Sequence, residues 1–358
     1  MKYARLVYGK NNKQMSVVQY ANLGDYFQTF AIDNIYKELQ IKEEDIVTIN
    51  RSELYKYEGE ELTLPMQGWF GYIKGIEIFP LPEKIRPVFL GYNCTSKALY
   101  TPKHIATYNE YSPVCCRDEK TYKKMKKKNV PAYLTGCMTI TLPERKTTPK
   151  KTHVFLVDAP KGIEKYMPEE LRENVSYITQ EIPINTECDV EEEIERVEGV
   201  ARKLLDRYRD EATLVVTSRL HCAGPCLGMG IPVILARNYF DDRYGWIDKY
   251  LPFYTPDKFD QINWYPEAVD LSAIKPVLIE FAKKAILRET GSEELMKQIH
   301  SYYMDRERQK IRVPFYTKAY IRMHEKFPKT ADFLREVVFR RFTVATARKK
   351  FRDIEKDM

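Results

Sequence analysis

The stretch Pro143-Glu144-Arg145-Lys146-Thr147-Thr148-Pro149-Lys150-Lys151-Thr152-His153-Val154-Phe155-Leu156-Val157-Asp158 decides how the chain is read. Its first ten residues are polar, basic and bounded by prolines, the composition of a linker. The next six, HVFLVD, restart an apolar strand pattern. A linker followed by a fresh strand divides the chain. The division predicted is a first domain at 1–146, a linker at 147–152 and a second domain at 153–290.

Both sides of that linker alternate strands with helices. On the first side, residues 6–8, 45–50, 86–92, 113–116 and 132–134 read as strands. Residues 25–39 read as an amphipathic helix, with Phe27, Phe30, Ala31, Ile35 and Leu39 at helical spacing. Residues 102–108 read as a short helix, and residues 118–128 form a further helix pattern, acidic at its start and lysine-rich at its end, as the helix dipole favours. On the second side, residues 153–158, 175–179, 213–217 and 232–236 read as strands. Helices are predicted at 189–209 and 271–288. The expected fold is therefore α/β, with two Rossmann-like parallel-sheet domains facing a cleft and a basic helical tail at 291–358. In such sheets ligands bind outside the carboxyl ends of the strands, so the loops just after strands carry the chemistry.

Charge narrows the function. The net charge is +7. Residues 301–358 hold 16 basic and 8 acidic residues, so the rest of the chain is close to neutral. A near-neutral body argues against nucleic acid as a partner. Seven irregularly spaced cysteines fit a reducing cytoplasm better than a disulfide scaffold. The opening Met1-Lys2-Tyr3-Ala4-Arg5 lacks a signal-peptide pattern, and no apolar run is long enough to span a membrane. The expected location is cytoplasmic.

Four strand-end segments are candidates. The first is Thr217-Ser218-Arg219-Leu220-His221, where a guanidinium two residues from an imidazole can bind an oxyanion and move a proton beside it. Ser218 is a candidate cap for the helix that follows. Pro225 would disrupt a helix already under way, so the helix could instead begin near Gly224. The second is Asn22-Leu23-Gly24-Asp25, a tight turn with Asp25 as candidate helix cap. The third is Arg117, which ends a strand and opens a helix as Arg219 does. The fourth is Gly136, where a ligand can approach the backbone closely. The plainer readings are salt-bridged arginines, a core histidine and turn glycines. Cys222 and Cys226 share a helical spacing but lack a second ligand pair, and no phosphate-binding glycine loop or nucleophile elbow occurs.

Taken in order, these segments carry a resemblance. Asn22-x-Gly24-Asp25 leads into a helix, and Cys116-Arg117-Asp118-Glu119 opens another. Then come Gly136-Cys137-Met138-Thr139-Ile140-Thr141-Leu142, Ser218-Arg219-Leu220-His221 and Gly230-Ile231-Pro232-Val233-Ile234. Across residues 15–290 the chain resembles the polysaccharide pyruvyl transferase family. The resemblance implies a fold like that of the two-domain GT-B glycosyltransferases. It also implies phosphoenolpyruvate as donor, and a saccharide acceptor on which pyruvate becomes a ketal.

On that reading Arg219 and Arg117 hold the donor's carboxylate and phosphate. His221 is the acid/base and Asp25 orients or deprotonates an acceptor hydroxyl. Asn22, Gly24, Ser218 and Gly136 complete the binding loops. No step needs a metal or an organic cofactor. The acceptor is expected on a polyprenyl lipid at the inner membrane face, and residues 331–358 are a candidate amphipathic segment for anionic lipid. Two alternatives stay open: a GT-B-type glycosyltransferase using a nucleotide sugar, and an inactive sugar-binding or membrane-docking protein.

Overall fold

The computed structural model describes residues 1–9, 20–71, 79–94, 96–185, 187–238, 240 and 242–305. The first half contributes β1 (Lys2–Val7), β2 (Tyr20–Asn22), α1 (Leu23–Glu38), β3 (Ile46–Asn50), β4 (Leu62–Trp69), β5 (Ile85–Asn93), α2 (Pro102–Glu110), β6 (Val114–Cys116), α3 (Glu119–Lys127) and β7 (Ala132–Leu134). The second contributes β8 (Val154–Val157), α4 (Glu169–Arg172), β9 (Val175–Ile178), β10 (Glu181–Pro183), α5 (Val190–Glu211), β11 (Leu214–Thr217), α6 (Leu220–Gly228), β12 (Val233–Ala236), β13 (Phe253–Tyr254), α7 (Lys275–Leu287) and α8 (Ser292–Met304).

Two parallel sheets result. The first runs β3-β1-β4-β5-β6-β7 and the second β13-β12-β11-β8-β9. Each is flanked by helices, so the chain has two Rossmann-like lobes with a helical segment after them. The β11–β8 pairing (Leu214↔Val154 to Thr217↔Val157) puts the ends of those two strands side by side. Whatever follows Val157 and Thr217 therefore emerges at one place.

β4 went unread in the sequence because Pro65 and Gly68 break its pattern, and proline is rare inside sheets. The register explains why it is tolerated. Leu62 N–H donates toward β5, to Lys84 O at 2.9 Å. Alternation then turns the Pro65 nitrogen toward β1, where the pairing stops at Tyr3↔Thr63, as it must once the next donor is missing. The pairing with β5 is untouched and runs on through Pro65↔Val88.

Three features join the lobes. β2 of the first half pairs antiparallel with β10 of the second, from Glu181↔Asn22 to Pro183↔Tyr20. α1 packs on α5, with Phe27 edge-on to Tyr208 at 6.2 Å between ring centres, in one apolar core that runs through both lobes. Beside it Arg5 of β1 holds Asp33 of α1 at 2.8 Å and Glu198 of α5 at 2.6 Å. The fork geometry of arginine lets a single side chain grip two carboxylates.

The chain then returns. α8 lies on β7 of the first sheet, burying Met296, Ile299 and Tyr303, and the Leu134 N–H donates to His300 Nδ1 at 2.9 Å. α8 is not basic: it carries Glu293, Glu294 and Lys297. The excess of positive charge falls at 306–358, and the amphipathic segment expected at 331–358 lies outside the described residues. Among the described residues no helix is long and apolar enough to cross a membrane.

Candidate active site

Arg117 leaves the end of β6 in the first lobe, and His221 sits in the first turn of α6 in the second. Their side chains meet, with Arg117 Nη1 2.9 Å from His221 Nε2. A guanidinium can only donate, so His221 Nε2 accepts and the imidazole proton belongs on Nδ1. That nitrogen faces Asp25 Oδ1 at 4.0 Å. Asp25 lies in the first turn of α1, and Asn22 Nδ2 donates to the same carboxylate oxygen at 3.2 Å.

The cap of α1 is Asn22, not Asp25: Asn22 Oδ1 accepts from the Gly24 N–H at 3.2 Å. Asp25 thereby keeps its carboxylate for the cleft. Gly24 is required by closeness. A Cβ built there would lie 2.8 Å from His221 Cβ, inside any normal contact.

Arg117 is 2 % exposed. Its Nη1 also lies 3.5 Å from Gln28 Oε1, and its Nε is buried with no hydrogen-bond partner among the described residues. A buried cation with an unmatched N–H is costly unless an acceptor arrives. His221 is compact against this cation, with 11 % of its side chain exposed. Burial first, then the charges of Arg117 and Arg243, push its pKa well below the ordinary histidine range. It is neutral at neutral pH in the unliganded site.

Arg219 takes a different place. It occupies the cap position of α6, and its Nε binds Asp158 Oδ2 at 3.0 Å while Nη2 binds Glu181 Oε1 at 2.6 Å. Burial works against its proton, but Asp158 and Glu181 outweigh that and raise its pKa. Its side chain is 28 % exposed. Ser218 is not the helix cap. Its hydroxyl donates to Asp158 O at 2.6 Å, and its carbonyl accepts from Tyr244 OH at 2.6 Å. α6 begins at Leu220, upstream of Gly224, and includes Pro225 inside it, with His221 as a non-helical residue (φ −87°, ψ 18°). Gly136 has φ +71° and packs under Tyr303, whose hydroxyl occupies the space a Cβ would need.

The structure thus brings Asn22, Gly24, Asp25, Arg117 and His221 into one cluster, with Ser218 and Arg219 on the adjoining turn. Sequence reasoning missed Asp158, Gln180, Glu181 and Arg243. Asp158 and Gln180 both follow strands of the second sheet, so the strand-end rule contained the signal. Gln180 links much of the cluster. Its backbone N–H donates to Asp158 Oδ2 at 2.9 Å, and its carbonyl accepts from the Leu23 N–H at 2.8 Å.

None of the curated proteins matches the sequence. Among solved structures, one similar chain is a functionally uncharacterised protein from Klebsiella pneumoniae subsp. pneumoniae. It is 18 % identical, with 68 % of this chain and 86 % of that one covered and a TM-score of 0.39. Another is a UDP-N-acetylglucosamine 2-epimerase, 11 % identical, with 88 % and 100 % covered and a TM-score of 0.39. Residues 22–239, more than half of the chain, match the family "Polysaccharide pyruvyl transferase", and they contain every residue of the cluster. The chain belongs to the polysaccharide pyruvyl transferase family, and is a transferase.

Proposed function

We propose that the protein transfers pyruvate from phosphoenolpyruvate onto two hydroxyls of a saccharide, forming a ketal and releasing phosphate. The observation that carries the reading is the Arg117–His221 contact across the lobes, with Asp25 behind the imidazole. One buried cation, one neutral base and one carboxylate then share a single point.

The donor presents a carboxylate and a phosphate. Arg117 offers its Nε edge to one of them, since Nη1 is turned toward His221 and Gln28. Arg219 takes the other in exchange for Glu181. Bound anions cancel the positive field of Arg117 and Arg243 at His221 and draw the guanidinium off Nε2, so that nitrogen gains a proton as the donor binds. That proton goes to the methylene carbon, leaving C2 electrophilic. The first sugar hydroxyl adds to C2 and gives its proton to Asp25 or back to His221. The second hydroxyl displaces phosphate, which leaves with the remaining proton. Asn22 keeps the Asp25 carboxylate directed, Gly24 leaves the room His221 needs, and Ser218 shapes the turn beside the donor, whereas Gly136, covered by Tyr303, takes no part.

The acceptor in this reading is a polyprenyl-linked saccharide at the inner face of a membrane, reached by a peripheral protein. The decisive experiment incubates the protein with phosphoenolpyruvate and a lipid-linked saccharide pool. Phosphate release together with a product heavier by pyruvic acid less one water supports the reading. Release of a nucleoside diphosphate from a UDP- or GDP-sugar, with phosphoenolpyruvate untouched, overturns it.

A further inference from the structure

We infer that Pro225 and Gln180 act as one device that holds the His221 backbone out of the helix and so aims its imidazole at Arg117. The inference rests on the assignment of His221 to the reaction.

His221 has φ −87° and ψ 18° inside α6. That is the sparsely populated bridge region, where many active-site residues sit. The cause lies four residues on. Proline has no N–H, so the carbonyl of His221 loses its intrahelical donor, and the Pro225 ring would clash with that carbonyl in a regular turn. The carbonyl turns out of the helix and is met by Gln180 Nε2 at 3.4 Å.

Gln180 is fixed for that purpose. It is 1 % exposed. Besides its backbone bonds to Asp158 and Leu23, its Nε2 lies 3.3 Å from Tyr208 OH of α5. The third side of the position is open only because residue 24 is glycine: a Cβ there would come 3.2 Å from Gln180 Oε1 as well as 2.8 Å from His221 Cβ. Elements of both lobes therefore converge on one backbone position. A regular first turn in α6 would rotate the Cα–Cβ bond of His221 and carry the ring away from Arg117. Gln180 and Pro225 are positioning residues, since both act through His221. The charged groups around the ring are Asp25 from α1, Arg117 from the end of β6 and Arg243 from the short turn after β12.

The test needs no substrate. The unliganded full-length chain is labelled at histidine Cε1, and its five histidines are titrated by NMR, with the His221 signal identified by its loss in His221→Asn. Pro225→Ala, Gln180→Met and the double variant are compared. The expected result is that each single change moves the His221 signal and raises its titration midpoint. The double variant goes no further than the larger single change. Where pyruvyl transfer is measurable, kcat falls by about 10²-fold in each, with donor KM unchanged and no additivity. An unchanged His221 signal in folded variants, or effects that add, overturns the inference. If Gln180→Met does not fold, Pro225→Ala decides alone: a moved His221 midpoint supports the device and an unmoved one refutes it. An absence of pyruvyl transfer sinks the proposed reaction and leaves the NMR result standing.

Discussion

Arg117 and His221 stand 104 residues apart in sequence, arise from different lobes, and meet at 2.9 Å. The hydrogen bond fixes the imidazole tautomer, and burial together with the cation keeps the ring neutral. Neither residue has this character without the other lobe.

Removing the imidazole tests the proton-transfer role. His221→Ala should fold normally and lose about 10²-fold or more in kcat, with a smaller effect on donor KM. Steady-state phosphate release against phosphoenolpyruvate concentration measures it. Near-normal turnover would remove His221 from the reaction.

The two arginines should separate by their partners. Arg117→Lys keeps the charge but loses the planar fork, and the expected cost is about 10²-fold in kcat/KM. Arg219→Lys should lower kcat/KM too, and in addition reduce the melting temperature, because Asp158 and Glu181 lose a shared partner. Thermal melts run beside the kinetics decide. Equal melting losses in both variants would contradict the difference drawn between them.

Gly24→Ala adds one methyl group where His221 Cβ already lies 2.8 Å away. Something has to shift, at a stability cost of about 1–3 kcal/mol. Activity should fall further than that cost implies, since the displaced group is the imidazole. Urea unfolding and turnover on the same sample compare the two. Full activity with lowered stability would show that the ring tolerates displacement.

His221, His153 and His300 all have depressed pKa values, with burial the first cause in each case. In the unfolded chain they bind protons below about 6.5, and in the fold they resist until lower pH. The unfolded state therefore holds more protons in that window. Stability is full above it and falls as the pH drops through it. The urea midpoint should decline from about pH 7 to about pH 5, and His221→Asn should make the decline shallower. Parallel slopes in the two proteins would mean that His221 titrates alike in both states.

Much of the fold was legible in the sequence because buried parallel strands are short apolar runs, and VFLV, LVVT and VILA can hardly be anything else. β4 was hidden by Pro65, which ends the pairing with β1 and leaves the pairing with β5 intact. α8 was expected as helix, but its place on the first sheet was hidden by an average, since its balanced sequence was pooled with the basic stretch after it. At the site, arginine, histidine and aspartate announce their chemistry wherever they stand. Gln180 stands where the strand-end rule points, but its residue type announces no chemistry, because its value comes from a carbonyl released by a proline 45 residues later. The ion pairs of Arg219 are equally silent, since Asp158 lies 61 residues away and is brought near only by sheet order. Spacing reveals which residues can react, and only packing reveals which are already engaged.

The return of α8 to β7 has a consequence for anyone recombining these lobes. A chimaera joined at 147–152 would keep its own first lobe but inherit a foreign α8. That helix would have to fit Cys115, Tyr122 and Tyr133 through Met296 and His300. The unit of exchange is discontinuous: the first lobe travels with 292–304, so domain shuffling in this architecture needs two crossovers where the linker suggests one.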